Sequence, residues 1–456
     1  MSQPLARLRL NLDFMPSPVA DQPGLFIRDP YRFSDAMLII PPVLVECLQC
    51  FDGSHTDLDL RAVLVGATGE LEVSGIARHL AETLSQAGFL EDETFEGMRA
   101  GRMQLFARQP VREPSHAGSA YPADVETLRQ TLTGYMDGEP QAATPDGVSA
   151  DAAPPASPEG DWQSNPAVHS MLGPEHRERT FATAKECMGA ATGQAGSDGV
   201  FAIAAPHVSP EGGWRSYRAA YSMLRPEHRE RTFVILATSH YGAPERFGLT
   251  RKAFRTPLGE APCDTRLVDW LETRGGAAVD MEDYHHSFEH TVELQVIFLQ
   301  HVLGPDVRIL PVLCGPYAKS LIHGGNPEDD DGVKRFIEAL GELREREGDR
   351  LFWVLGVDMA HMGERYQDRF QAQADRGAML EVGERDRERM SRIEASDAAG
   401  FWDLVRPRHD DLKWCGSSPF YTFLKAAPGA RGELLHYEQW NIDERSVVSF
   451  AGMAFR

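Results

Sequence analysis

The sequence predicts an α/β protein: a sheet flanked by helices, joined to a small separate N-terminal module. Three observations predict it. From Val200 onward, short apolar β-rich runs alternate with amphipathic stretches, the pattern of a sheet covered by helices on both faces. Residues 1–105 carry their own helical periodicity. Between the two parts, residues 138–166 are rich in Pro, Ala, Gly and Asp and almost devoid of large apolar side chains, so they cannot bury enough surface to offset chain entropy.

In the N-terminal module a Pro-rich lead is followed by LFIRDP and SDAMLIIPP, an apolar helical run VLVECLQCF and the turn DGSH. Two helical stretches follow, LDLRAVLVGAT and GIARHLAETLSQAGFLED, the second stopping at Gly88, where glycine ends a helix readily. Short strands with three helices suit a winged-helix-like module, and its acidic character argues against DNA as its partner. Residues 106–456 form the second domain, with a flexible insertion over about 138–198. HSMLGPEHRERTF at 169–181 nearly repeats YSMLRPEHRERTF at 221–233; one duplicated tract is not a solenoid period, and the first copy reads as part of the insertion.

The strands expected beyond it are VFAIAAP, TFVILATS, VRILPVLCG, LFWVLGVD and SVVSFAGMAF. The intervening helices are DTRLVDWLETRG, EHTVELQVIFLQHVL and DGVKRFIEALGELRER. A chain of 456 residues exceeds one ordinary core. Its formal charge of −22, from 46 basic and 68 acidic side chains, repels phosphate backbones and anionic lipid, which argues against nucleic-acid and membrane partners. No run approaches the roughly 20 apolar residues that span a bilayer, and the N-terminus lacks the apolar core of a signal peptide. The 6 cysteines show no framework spacing and fit reduced thiols. A cytoplasmic location is expected.

In sheets of this class ligands gather at the C-terminal ends of strands. VFAIAAP ends in His207, TFVILATS in His240, and LFWVLGVD delivers Asp358 with His361 three residues on. A lone histidine beside an apolar run is usually a satisfied packing residue. Three at equivalent exits point to a shared metal site, because imidazole is the commonest transition-metal ligand. HHSFEHTVELQ lacks the H-E-x-x-H order of a zincin helix. It reads either as a helix start whose acidic residues suit the dipole, or as a helix placing His290 and Glu293 on one face toward the cluster. Cys415, in KWCGSSPFYTFLKA, precedes a helix; it is either a thiolate ligand favoured by the helix N-terminus or a small apolar filler beside Trp414. Cys47 and Cys50 form a C-x-x-C without a second pair, which fits core packing better than zinc.

The segments HAGSAYPAD, IAAPHVSPEGG, ILATSHYG, FRTPLGE, EHTVELQ, ILPVLCG, VDMAHMG and CGSSPF, in this order, resemble the Memo family, whose bacterial members are called AmmeMemoRadiSam system protein B. The resemblance implies a fold like that of class III extradiol dioxygenases. It also implies a metal pocket lined by His207, His240 and Cys415, with Asp358 and His361 as further pocket residues and His290 with Glu293 matching the EHxxE segment. Gln295 departs from the pattern, since many relatives have histidine there. DP, IPP, FDGSHT and AGFLED in the N-terminal module resemble PqqD-like domains, which implies a peptide or a radical SAM protein as partner.

The leading expectation is a redox metalloprotein, with Fe(II) or copper ahead of zinc on His207, His240 and Cys415. His361 would be its general acid/base, Asp358 would orient a neighbouring donor, and His290 and Glu293 would complete the catalytic set. A second is an extradiol-type dioxygenase on an aromatic diol, which ordinarily takes a carboxylate as third ligand. A third is a non-catalytic scaffold that binds a peptide or partner.

Overall fold

The computed structural model describes residues 4–19, 21–138 and 199–456. The expected insertion, apart from Gly138, and the first copy of the repeated tract lie outside them.

In the N-terminal unit, β1 (Asp13–Pro16), β2 (Leu25–Arg28) and β3 (Met37–Ile40) pair as an antiparallel three-stranded sheet. The helix Asp57–Thr68 starts at a capping box between Thr56 and Asp59, which satisfies otherwise orphaned N–H groups. The helix Ser74–Gln86 is followed by Gly88 at φ +70°, a left-handed conformation that glycine adopts without steric cost. VLVECLQCF, expected as one helix, splits into a short turn at Pro42–Val45 and a 3₁₀ segment at Glu46–Cys50. Cys47 and Cys50 are both buried in this unit's own apolar core, with Ile27, Leu60, Leu80 and Phe89.

Among the described residues the large sheet contains nine strands. Its parallel centre consists of β5 (Ala202–Ala205), β6 (Thr232–Thr238), β11 (Arg308–Cys314) and β12 (Leu351–Gly356), in the order β11-β6-β12-β5. Beyond β11 lie β7 (Phe247–Leu249) and β10 (Val279–Met281). Beyond β5 lie β15 (Ser446–Phe455), then β13 (His361–Gly363), with β14 (Gly432–Asp443) also paired to β15. A separate small sheet joins β4 (Val111–Arg112), β8 (Ala253–Thr256) and β9 (Gly259–Ala261). The α/β architecture, with helices on both faces, is the expected one.

Side chains of the central strands alternate between two cores, as the period-2 geometry of a strand requires. Val234 and Leu236 of β6, with Trp353 and Leu355 of β12, face the core shared with the helices Thr265–Gly275, Asp331–Glu347 and Ser417–Ala426. Phe233, Ile235 and Ala237, with Phe352 and Val354, face the opposite core under the helices Val125–Asp137, Pro210–Tyr221 and His290–Leu303. Among the described residues no helix is long and apolar enough to cross a membrane.

The N-terminal unit docks through aromatic side chains. Phe33 stacks on Tyr284 at 5.1 Å and Tyr31 meets Tyr241 edge-on at 5.4 Å. The Tyr284 hydroxyl donates to the carbonyl of Arg32 at 2.9 Å. Such offset and T-shaped pairs add to the burial energy of the rings.

Candidate metal centre

Because β6, β12 and β5 are parallel neighbours, their C-terminal ends open on one rim, and the residues that follow converge there. β5 leads through Pro206 to His207, β6 through Ser239 to His240, and β12 through Val357 to Asp358. The helix His290–Leu303 lies across these ends. Gly356 permits the approach, since a Cβ there would sit 2.9 Å from the Thr291 carbonyl. Thr291 Oγ1 donates to the Thr238 carbonyl at 2.8 Å, and Gln295 Nε2 to the Pro206 carbonyl at 2.8 Å. Gln295 also accepts from the Tyr221 hydroxyl at 2.8 Å. It is therefore a buried clamp between the helix and the His207 loop.

His207, His240 and His290 each present a ligand atom within 4.8 Å of the others. Sequence reasoning placed the first two in the ligand set and His290 among the catalytic residues; the geometry adds His290 to the histidine cluster. Cys415, the expected third ligand, lies beside it, with Sγ 3.3 Å from His207 Nε2. Asp358 is next to the same nitrogen, with Oδ2 at 3.5 Å, while its Oδ1 accepts from the His207 backbone N–H at 2.9 Å.

The imidazoles are oriented from behind. His207 Nδ1 is 3.1 Å from the Gly356 carbonyl, which can only accept, so Nδ1 carries the proton and Nε2 is the nitrogen that could hold a metal. Glu289 does the same for two rings at once. Its carboxylate lies 3.1 Å from His240 Nδ1 and 3.1 Å from His290 Nδ1, and accepts from the His240 backbone N–H at 2.9 Å. Burial raises the Glu289 pKa, but the charge and hydrogen bond of His240, then His290, outweigh it and hold the carboxyl well below the usual carboxylate range. This residue was missed in the sequence, although the Glu–His pair of EHTVELQ is the signal that could have found it.

Exposure rises from 0% for the His207 side chain through 6% for His240 to 12% for His290, so the site opens on the His290 side. Cys415 is held at the edge by a close backbone approach: a Cβ on Gly416 would lie 2.6 Å from the Asp358 carbonyl and 2.7 Å from Val357 Cβ. Gly416→Ala is therefore expected to push the Cys415 loop outward. Peptide-mapped alkylation should label Cys415 several-fold faster in the variant, and an unchanged rate would refute the packing argument.

The remaining expected residues have other surroundings. His361 Nδ1 is 2.9 Å from the Met359 carbonyl and 3.0 Å from that of Lys413, and its ring is edge-on to Tyr366. Glu293 is turned behind His290, where its carboxylate accepts from Ser115, His116 and Tyr121 and pairs with Arg112. Burial raises its pKa, but Arg112 and then His116 bring it far below the carboxylate norm. His286 is bonded to the Gly248 carbonyl at 3.0 Å, and burial pushes its pKa down to about 4; it is a neutral packing residue.

A mixed α/β sheet whose parallel strand ends gather three back-bonded imidazoles defines a protein with a site suited to a metal ion. A family model described as Memo-like protein matches residues 174–454, and the chain belongs to the Memo family. Among curated relatives, a MEMO1 family protein of Aquifex aeolicus is 22% identical over 433 residues, covering 94% of this chain and 95% of that protein. A MEMO1 family protein of Thermococcus kodakarensis is 28% identical over 253 residues, covering 53% of this chain and 80% of its own.

Proposed function

We propose that this chain is a non-haem redox metalloprotein that holds one transition-metal ion, Fe(II) or copper ahead of zinc, on His207, His240 and His290. Cys415 is the adjoining thiolate donor. The observation that carries the reading is the Glu289 carboxylate bound to Nδ1 of two rings, because a carboxylate or carbonyl behind each imidazole is the usual support of a metal-ligating histidine. Nitrogen and thiolate donors together suit iron, copper and zinc. The bound ion would supply Lewis acidity or one-electron chemistry. Around it, the Gly356 carbonyl and Glu289 fix the ring orientations, and Asp358 fixes the His207 backbone. His361, whose Nδ1–H is spent on carbonyls, presents Nε2 as the nitrogen that takes up or gives a proton.

Elemental analysis of anaerobically purified protein tests the proposal. One equivalent of iron or copper is expected in the wild type, with less than a tenth of that in His240→Ala. Equal content in both, or none in the wild type, overturns it. The position of Asp358 beside His207 favours a second reading, a two-histidine, one-carboxylate dioxygenase acting on an aromatic diol. Ring-opened product from a catechol with Fe(II)-loaded protein supports that reading, and its absence removes it.

The winged-helix-like, PqqD-like character of the N-terminal unit belongs to the same proposal. So does a peptide or radical SAM partner, supported by the strand edges that β1 and β3 form. A pull-down on the full chain that recovers no such partner counts against that part.

A further inference from the structure

The segment Arg112–Tyr121 runs from the end of the helix Glu93–Arg108 to the start of the helix Val125–Asp137, far in sequence from every ligand. It is nevertheless bound to the element that carries His290. Arg112 is fully buried. Its Nε donates to the His286 carbonyl at 2.8 Å, and its Nη2 to the Glu289 carbonyl at 3.0 Å and to Ser115 Oγ at 2.9 Å. Its Nη1 pairs with the Glu293 carboxylate. A guanidinium is planar, so these partners are fixed relative to one another by a single rigid group. The group ties the turn before the helix, at His286 and Glu289, to the helix's first turn at Glu293.

His116 adds a second constraint. Its backbone N–H and its Nδ1 both lie 3.1 Å from Glu293 carboxylate oxygens, while its ring meets that of His290 edge-on, at 5.6 Å between centroids and 61° between planes. His290 is thus held by Glu289 on one side and packed by His116 on another. We propose that Arg112 and His116 are positioning residues of the metal centre, with Arg112 setting the Glu289 backbone and His116 the plane of the His290 ring. This inference rests on the reading of the histidine trio as a metal site. A lysine, with a single compact donor group, cannot reproduce the four-partner arrangement of Arg112.

The test is Co(II) titration of the full chain, followed by its visible ligand-field bands, for wild type, Arg112→Lys, His116→Gln and Tyr121→Phe. Tyr121→Phe removes one hydroxyl from the same Glu293 carboxylate and gives the scale of merely loosening it. Arg112→Lys and His116→Gln are expected to bind Co(II) about 10–100-fold more weakly, as for lost supporting partners, with altered bands and unchanged far-ultraviolet circular dichroism. Affinity within twofold of wild type and unaltered bands in both, whatever their melting temperatures, overturn the proposal. Should Arg112→Lys not fold, His116→Gln decides alone. Should the wild type itself bind no Co(II), the metal reading fails separately. Positioning is then decided on the metal-free protein by ¹⁵N shifts of the His240 and His290 rings. Changed tautomer populations in the variants support it, and unchanged ones overturn it.

Discussion

Replacing Glu289 by glutamine is expected to lower metal affinity about 100-fold, at the upper end of the range for supporting partners, while the fold survives. The carboxylate now accepts from Nδ1 of both His240 and His290. An amide of the same shape has one accepting and one donating end. Both rings meet the same oxygen, Oε1, while Oε2 accepts the His240 backbone N–H. The amide therefore either sets its NH2 against that backbone N–H or turns it toward both rings and drives them to the opposite tautomer, with protonated nitrogens toward the site. Chelator competition against the wild type measures the effect. A Glu289→Gln variant within threefold of wild type would show that the carboxylate does not orient the trio.

The second large effect concerns stability. Glu293→Leu keeps the side-chain volume but leaves the buried guanidinium of Arg112 without its counter-charge, and loss of one partner from a buried pair costs roughly 3–5 kcal/mol. Urea unfolding of the metal-free protein should show that loss at pH 7. The Glu293 carboxyl is depressed below its ordinary value of 4.5 by Arg112 and His116, against a burial effect that raises it. Its stabilisation is therefore complete above that ordinary value and declines as the pH falls below it toward the depressed folded value. The gap between wild type and Glu293→Leu should accordingly narrow in acid. A gap that widens there would reverse the assigned sign.

Much of this was legible in the amino-acid order. The runs at 202–205, 232–238, 308–314 and 351–356 are buried on both sides, so their apolar character is nearly continuous and marks them clearly. His207, His240 and Asp358 follow three of those runs, which is why they could be singled out. β14 escaped notice because its residues are mostly half-buried and mix polar with apolar side chains without a clean period. The direction of Glu293 was also beyond reach. Three helical steps turn the chain by about 300°, leaving residues i and i+3 some 60° apart. That offset is enough to aim His290 into the site and Glu293 away from it. The roles of Arg112 and His116 could not be read, since the partners that tie them to the His290 helix lie more than 170 residues away and no local pattern encodes such a pairing. The orientation of imidazoles by Glu289 depends on which ring nitrogen faces it, a property that spacing does not carry.

The aromatic seam between the N-terminal unit and the large sheet bears on how the protein can be divided. Tyr241 follows His240 in the chain, and its ring lies against Tyr31 on the N-terminal side and Phe288 on the other. A fragment beginning after Arg108 would expose Tyr241 and Tyr284 to water, leaving a sticky apolar surface and depriving the residue beside His240 of lateral support. A cut there would thus disturb the surroundings of His240 as well as solubility.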